Sequence, residues 1–398
     1  MTKSKNKFHK KLSALFCLWV SILCVLCASV VNSTAQDWKT VNDGIEYAEV
    51  TREISGLKVN MNLLRLDLTK VRLDVVHAMD AAIGTEKTSS IAARHGAFAA
   101  INAGFFRLDT SEFAGDAAGI LQIDNELISD SLFDRIAVAI HNSPKKTKVD
   151  FGHANSHAWV SISPNFSSIT VDGIDREPKP NETILFTKEF GITPRMKTST
   201  AELVLSDCLY VCRKYKLSDG AGGTPVPKNG YVLVLYDEKV NLMTAELRVK
   251  LKELYLGPTV NNIIRLKDGK KRRFDKAEDI VGGVPQLIKN GKIDITWEQE
   301  KATRSFVETR HPRTAVAKLK DGKFLMITVD GRSESSGGIG LQDLAEYLLS
   351  LGATDAMNLD GGGSTTMFLN GKVVNHPSDK EGERKVSDAI LVKLRNKK

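Results

Sequence analysis

Residues 358–367 read Asn-Leu-Asp-Gly-Gly-Gly-Ser-Thr-Thr-Met, which sets the carboxylate of Asp360 directly before three glycines and a run of hydroxyls. Glycine reaches φ > 0 freely and lets a ligand approach the backbone closely. Successive N–H groups in such a turn form an anion-binding nest. The same run is also ordinary punctuation between two strands, so its surroundings must decide between chemistry and a tight turn. Two further polar groups stand at strand ends: Asp330-Gly331-Arg332 follows the apolar run 323–329, and Asn102 follows the buried-strand pattern 97–101. An amide at the exit of a buried strand must hydrogen-bond to backbone or to a ligand.

The elements that position these groups are legible as patterns. Segments 45–52, 57–68 and 71–78 alternate apolar and polar residues as half-buried strands do. A short helix is expected over 88–95. Hairpin turns fall at Asp124-Asn125, Asn290-Gly291, Asp321-Gly322 and Asn370-Gly371. Residues 145–257 are turn-rich, with short strands such as 231–236 and helical composition over 243–256. Leu341, Leu344, Ala345, Leu348 and Leu349 mark one helix face, which Gly352 stops. A strand, crossover helix and parallel strand would then bring Asp330, Arg332 and Asp360 to one rim. The fold class expected is α+β (mixed α/β), with mostly antiparallel mixed sheets, a few packing helices, and one strand-helix-strand unit carrying the site. The parts are 1–35 as a signal peptide, 36–280 as a sheet-rich part with a variable middle, and 281–398 as a motif-dense core that is not independent of it.

The chain has 398 residues with 42% hydrophobic and 26% charged, which is globular composition. Lys3, Lys5, Lys7, Lys10 and Lys11 precede the apolar run 14–31, and Ser33-Thr34-Ala35 offers a small-residue cleavage site. Cleavage near Ala35 and export to a periplasmic or extracellular space are expected, with an uncleaved membrane anchor as the alternative. Residues 1–35 hold five lysines and no acid, so the net charge of +8 drops to +3 without them. That balance gives no case for nucleic acid, and no membrane partner is expected once the leader is removed. Oligomeric state is left open. Cys208 and Cys212 remain from five cysteines; on one strand they lie too far apart to bridge, whereas a tight turn lets them pair. No accompanying histidine argues for zinc.

Six ordered motifs carry a resemblance: Asn102 to Phe106, Pro312 to Val316, Asp330-Gly331-Arg332, the stretch from Asn358 to Thr366, Pro377-Ser378-Asp379, and Arg384-Lys385-Val386-Ser387. In this order they resemble the phosphodiester glycosidase family, densely over 281–394 and again near 97–128. Ala317 and the segment Asp116-Ala117-Ala118-Gly119 depart from the family pattern. The resemblance implies hydrolysis of a sugar-1-phosphodiester at the anomeric C–O bond, on a glycan or sugar phosphodiester substrate. Under it, Arg313 offers a planar fork to phosphate, and Gly361, Gly362, Gly363, Ser364 and Thr365 complete the cradle. Asp360 is the first choice and Asp330 the second for stabilising the transition state or positioning water. Asn102 binds a sugar hydroxyl or orients a carboxylate, and Arg332 holds phosphate or Asp330. Arg384 reaches the phosphate pocket or caps the last strand. No cofactor is required and no metal ligands are assigned, with a structural divalent cation left open. The alternatives are a metal-dependent phosphodiesterase using Asp330, Asp360 and Asp379, and a non-catalytic envelope-glycan binder.

Overall fold

Strand Leu57–Leu66 shows how the sequence pattern becomes layers. Val59, Met61 and Leu63 enter one hydrophobic core, while Leu64 and Leu66 enter another on the opposite face. Period-two alternation sends successive side chains to opposite faces, and here both faces are covered. The same division holds in strand Phe324–Val329, where Leu325, Ile327 and Val329 face one core and Phe324 and Met326 the other.

The computed structural model describes residues 36–162, 168–191, 200–220, 223–236, 247–249, 251, 257–266, 274 and 276–395. The expected leader at 1–35, most of the 243–256 helical pattern and the last three residues lie outside them. Trp38–Lys398 forms one unit, within which all the described hydrophobic cores lie.

An eight-stranded sheet runs in the order Lys39–Asn42, Ile45–Ile54, Leu57–Leu66, Phe324–Val329, Arg313–Leu319, Ala353–Asn358, Gln286–Lys289, Lys292–Ile293. Helix Leu341–Ser350 buries Leu341, Leu344, Ala345 and Leu348 against one face. The other face packs on a five-stranded sheet through Leu73, Val75, Ile101, Met367, Ile390 and Val392. That sheet is ordered Lys372–Val373, Met367–Leu369, Ala99–Asn102, Asp388–Leu394, Val71–His77. Helix Thr88–Arg94 covers its outer face with Ile91 and Ala92. A seven-stranded sheet abuts this sandwich. Its strand Asp279–Gly282 pairs with Ile136–Asn142 and Leu121–Ile123, so one sheet joins chain segments on both sides of residue 280.

The α+β expectation is corrected. Among the described residues 27 strands stand against three α-helices, of 7, 5 and 10 residues, so the fold is β-rich. The physical reason is that the inner face of each sheet is buried by another sheet, which leaves helices only the outer faces to cover. The middle of the chain adds a further sheet, in which strands Thr200–Cys208 and Cys212–Gly220 form a hairpin closed at its tip by a Cys208–Cys212 disulfide.

Candidate active site

Strands Phe324–Val329 and Ala353–Asn358 run in the same direction, but they are not neighbours: Arg313–Leu319 lies between them, antiparallel to both. Its register sets Arg313 opposite Val329 and Ala315 opposite Asn358. The start of the central strand therefore meets the ends of the two flanking ones, and Arg313, Asp330 and Asp360 come to one rim. The second sheet reaches the same rim: the Asp360 N–H donates to the Ala103 carbonyl at 2.9 Å.

Three buried asparagines fix the glycine loop. Asn102 donates to the Asp360 carbonyl at 2.7 Å and accepts from the Thr314 hydroxyl at 2.8 Å and the Thr366 N–H at 3.1 Å. Asn375 donates to the Thr365 carbonyl at 3.0 Å and to the Asp330 carboxylate at 3.2 Å, and accepts from the Met367 N–H at 2.7 Å. Asn358 donates to the carbonyls of Val284 and Leu359 at 2.7 and 2.8 Å. Asn102 and Asn375, which both donate and accept, act as rigid ties, whereas the Asn358 side-chain oxygen has no partner. Asn102 thus orients the Asp360 segment through its backbone.

The loop itself is a short 3-10 turn over Gly362–Ser364. Three of its amides serve the fold: Gly361 N–H donates to the Asp360 carboxylate, Gly362 N–H to the Pro312 carbonyl, and Ser364 N–H to the Gly361 carbonyl. Ser364 and Thr365 are buried, and the Thr365 and Thr366 hydroxyls are enclosed without a hydrogen-bond partner. Of the expected amide cradle, three N–H groups are thus taken up within the turn, while the Gly363 N–H has no partner among the described residues. The glycines do different work, letting charged side chains lie against the backbone. Gly362 has φ +61°, and a Cβ there would sit 3.1 Å from a terminal nitrogen of Arg332; a Cβ at Gly363 would collide with the Arg384–Asp379 pair.

The charged groups divide by environment. Asp360 keeps some exposure at its surface, yet burial of its carboxyl pushes it up to about 6, against the opposing Ser364 hydroxyl, Gly361 N–H and Arg384 charge; Asp388 pushes it further up. Burial also raises Asp330, opposed by the His376 N–H and the Asn375 amide. Arg332 is exposed, adopts φ +60°, and among the described residues forms neither hydrogen bond nor ion pair. A non-glycine residue in the left-handed region is uncommon and is held there by its surroundings.

Arg313 is different, being only 2% exposed. It donates to the carbonyls of Phe306, Thr309 and Ile339 at 2.6, 2.9 and 3.3 Å and lies over the Phe306 ring at 4.9 Å. Burial, then the Arg332 charge, lowers it to about 10. Its Nε and one of its two terminal nitrogens are taken by the fold, so it braces helix Arg304–Glu308 and the loop after it. Arg384 is held by Asp379 in a two-pronged pair at 2.7 and 3.1 Å. That pair also engages Asp379 as a cation's partner; among the described residues no group of three or more His, Cys, Asp or Glu side chains is placed to hold a metal.

Three participants, Asn375, Asp388 and Phe105, escaped the sequence reading. Asn375 lies just before the Pro377-Ser378-Asp379 motif, and nothing local marks its reach to Asp330. Asp388 follows the Arg384 to Ser387 motif, is 1% exposed, and accepts the Gly104 N–H at 2.5 Å. Phe105 is half-buried and makes an edge-on contact with Phe306 at 6.0 Å. His311 also borders this site, drawn down by burial and by the charges of Arg313 and Arg332.

With this geometry in place, comparison with known proteins becomes specific. The sequence model of the phosphodiester glycosidase family matches residues 216–393. That part of the chain is similar to the phosphodiester glycosidase family. The bovine N-acetylglucosamine-1-phosphodiester alpha-N-acetylglucosaminidase is 40% identical over 109 residues, 25% of this chain and 20% of that protein. The human enzyme of the same name is 37% identical over 109 residues, covering 25% of this chain and 21% of its own. An uncharacterized prophage-derived protein of Bacillus subtilis is 40% identical over 106 residues, 27% of this chain and 16% of that one. The match thus spans about a fifth of the mammalian phosphodiester glycosidases. The fold is shared more widely. A hypothetical protein from Synechocystis superposes with a TM-score of 0.73 at 21% identity, covering 92% of this chain and 64% of that one. An exported protein of Burkholderia pseudomallei gives 0.69 at 21% identity, covering 85% and 74%.

Proposed function

We propose that the chain is a glycosidase that hydrolyses a sugar-1-phosphodiester at the anomeric C–O bond. The observation that carries this reading is the unpaired Arg332 guanidinium lying against Gly362, on the rim that also holds the enclosed carboxyl of Asp360. A phosphodiester brings a fixed negative charge, and an unpaired guanidinium provides the planar donors to meet it. Arg332 takes the phosphate contact, because its whole guanidinium is unpaired, whereas Nε and one terminal nitrogen of Arg313 are held by backbone carbonyls.

In this reading water attacks C1, the bond from C1 to the phosphate oxygen breaks, and that oxygen leaves on the phosphomonoester. The departing phosphate is already a stable anion, so the demand for a general acid is small. The demand at C1 is for negative charge near an oxocarbenium-like transition state, or for a base to take the water proton. Asp360 in its ionised form meets it, with Asp330 second. Asn102 and Asn375 act as positioning residues that hold the two carboxylate-bearing segments. Export of the protein after removal of residues 1–35 belongs to the same proposal; no described helix is long and apolar enough to cross a membrane.

Hydrolysis in ¹⁸O-water tests the bond cleaved. Label in the released sugar supports C–O cleavage; label in the phosphate overturns it in favour of attack at phosphorus.

A further inference from the structure

The largest described groove lies away from the rim. It has a volume of about 810 Å³ and is built by four separate segments: the turn Asp67-Leu68-Thr69, residues 141 and 146–150, Lys276, and the hairpin end with Lys318, Asp321, Gly322 and Lys323. Strand Arg313–Leu319 starts at the rim and ends at this groove. Its seven residues put the two ends roughly 20 Å apart at the usual strand rise.

The groove has a charge imbalance that the fold does not use. Lys146, Lys148, Lys276 and Lys318 form no ion pair among the described residues, whereas Lys323 pairs with Glu46 at 2.8 Å. The acids in the lining are engaged. Asp67 accepts from the Thr69 N–H and hydroxyl, Asp321 from the Lys323 N–H, and Asp150 faces His141 at 3.6 Å. The lining thus holds five lysines against three aspartates, an excess of two positive charges. Lysines on flexible stems bind as point charges and track a charged backbone without fixing one geometry. Repeated anionic groups release counterions from such a surface and gain affinity together.

We infer that this groove binds a run of phosphates in a polymeric phosphodiester, so that the substrate of the rim is a linear polyanion rather than a small glycoside. The inference rests on the phosphodiester reading for its link to catalysis, while binding by the groove stands independently of it. A chain of phosphate-bearing repeats is long enough to occupy groove and rim together.

The test uses residues 36–398, the expected mature chain, which hold the single folded unit and all its described cores. Long-chain inorganic polyphosphate is titrated against this protein, against Lys146→Glu/Lys148→Glu/Lys276→Glu, and against the control Lys214→Glu/Lys216→Glu on the edge strand Cys212–Gly220. The expected result is tenfold or greater weakening in the triple variant and less than about twofold in the control, with unchanged melting temperatures. The slope of log affinity against log salt falls by roughly 2, about 0.7 for each cation removed. No binding at low salt, equal losses in triple variant and control, or a loss produced only by Arg332→Ala would each overturn the groove. Kinetics separates the two readings. If a small sugar-1-phosphodiester is cleaved and polyphosphate is ignored, the groove fails alone. If polyphosphate binds as expected and no phosphodiester is cleaved, the catalytic reading fails alone. With both intact, the triple variant raises KM for a polymeric substrate and leaves KM for the small one unchanged.

Discussion

The side-chain amide of Asn102 donates to the backbone carbonyl of Asp360 at 2.7 Å, across 258 residues of sequence. This one bond joins the end of a strand in the five-stranded sheet to the start of the glycine loop on the eight-stranded sheet. The position of the Asp360 carboxylate is therefore set by how the two sheets pack, and not by the loop alone.

Replacing Asn102 by Ala removes this donor and the acceptor for the Thr314 hydroxyl and Thr366 N–H. Leaving such buried groups unsatisfied costs about 1–3 kcal/mol for each. With three such groups, a total loss of about 3 kcal/mol or more is expected by urea unfolding. It should be accompanied by a fall in kcat with little change in KM, the signature of a misplaced carboxylate rather than a lost substrate contact.

Asp360→Asn should leave the fold intact and lower kcat by at least about 100-fold, within the range for a lost acid–base group. The reaction needs the ionised carboxylate, which burial holds up to about 6. Activity of the unmodified protein is expected to rise as pH climbs through about 6, and the variant to lose that limb. A falling limb at that pH would reverse the assignment and make Asp360 a proton donor.

Arg332 and Arg313 should separate cleanly. Arg332→Ala removes an exposed, unpaired guanidinium and is expected to raise KM about tenfold or more with a melting temperature within about 1 °C, as is typical for a surface change. Arg313→Ala frees three buried carbonyls and the face of Phe306. Its expected effect is a loss of stability of about 2–4 kcal/mol. A KM effect at Arg313 with unchanged stability would return the phosphate contact to that residue.

Stability should fall as pH rises from about 4 to 8. Burial pushes Asp116 and Asp279 up to about 7, Asp175 to about 8 and Asp360 to about 6. Each folded-state value lies above the unfolded one near 4, so the folded protein holds more protons in that window. The stability these groups contribute is complete below pH 4 and is lost as pH passes the folded values. Glu46, held down to about 2 chiefly by its hydrogen bond from Arg65, acts oppositely and matters only in stronger acid. Thermal melts at pH 5 and pH 8 should show the higher midpoint at pH 5.

Much of this protein is local in origin. Alternation in 57–66, the helix face at Leu341, Leu344 and Leu348, and the Asn-Gly and Asp-Gly turns follow from side-chain periodicity and backbone preference, which neighbours in sequence decide. Those patterns, with the ordered motifs, were enough to bring Asp330 and Asp360 to one rim. The tertiary structure decided the rest. Whether the faces of the sheets would be covered by helices or by other sheets depends on packing between distant segments, and sheets prevailed. Arg313 and Arg332 look alike as letters beside similar motifs; only the fold buries the first among carbonyls and leaves the second free. Likewise the glycine loop could have been an open amide cradle or a closed turn. Asn102, reaching it from far along the chain, and Asn375, just beyond it, hold it as a tight turn whose glycines admit arginines to its surface.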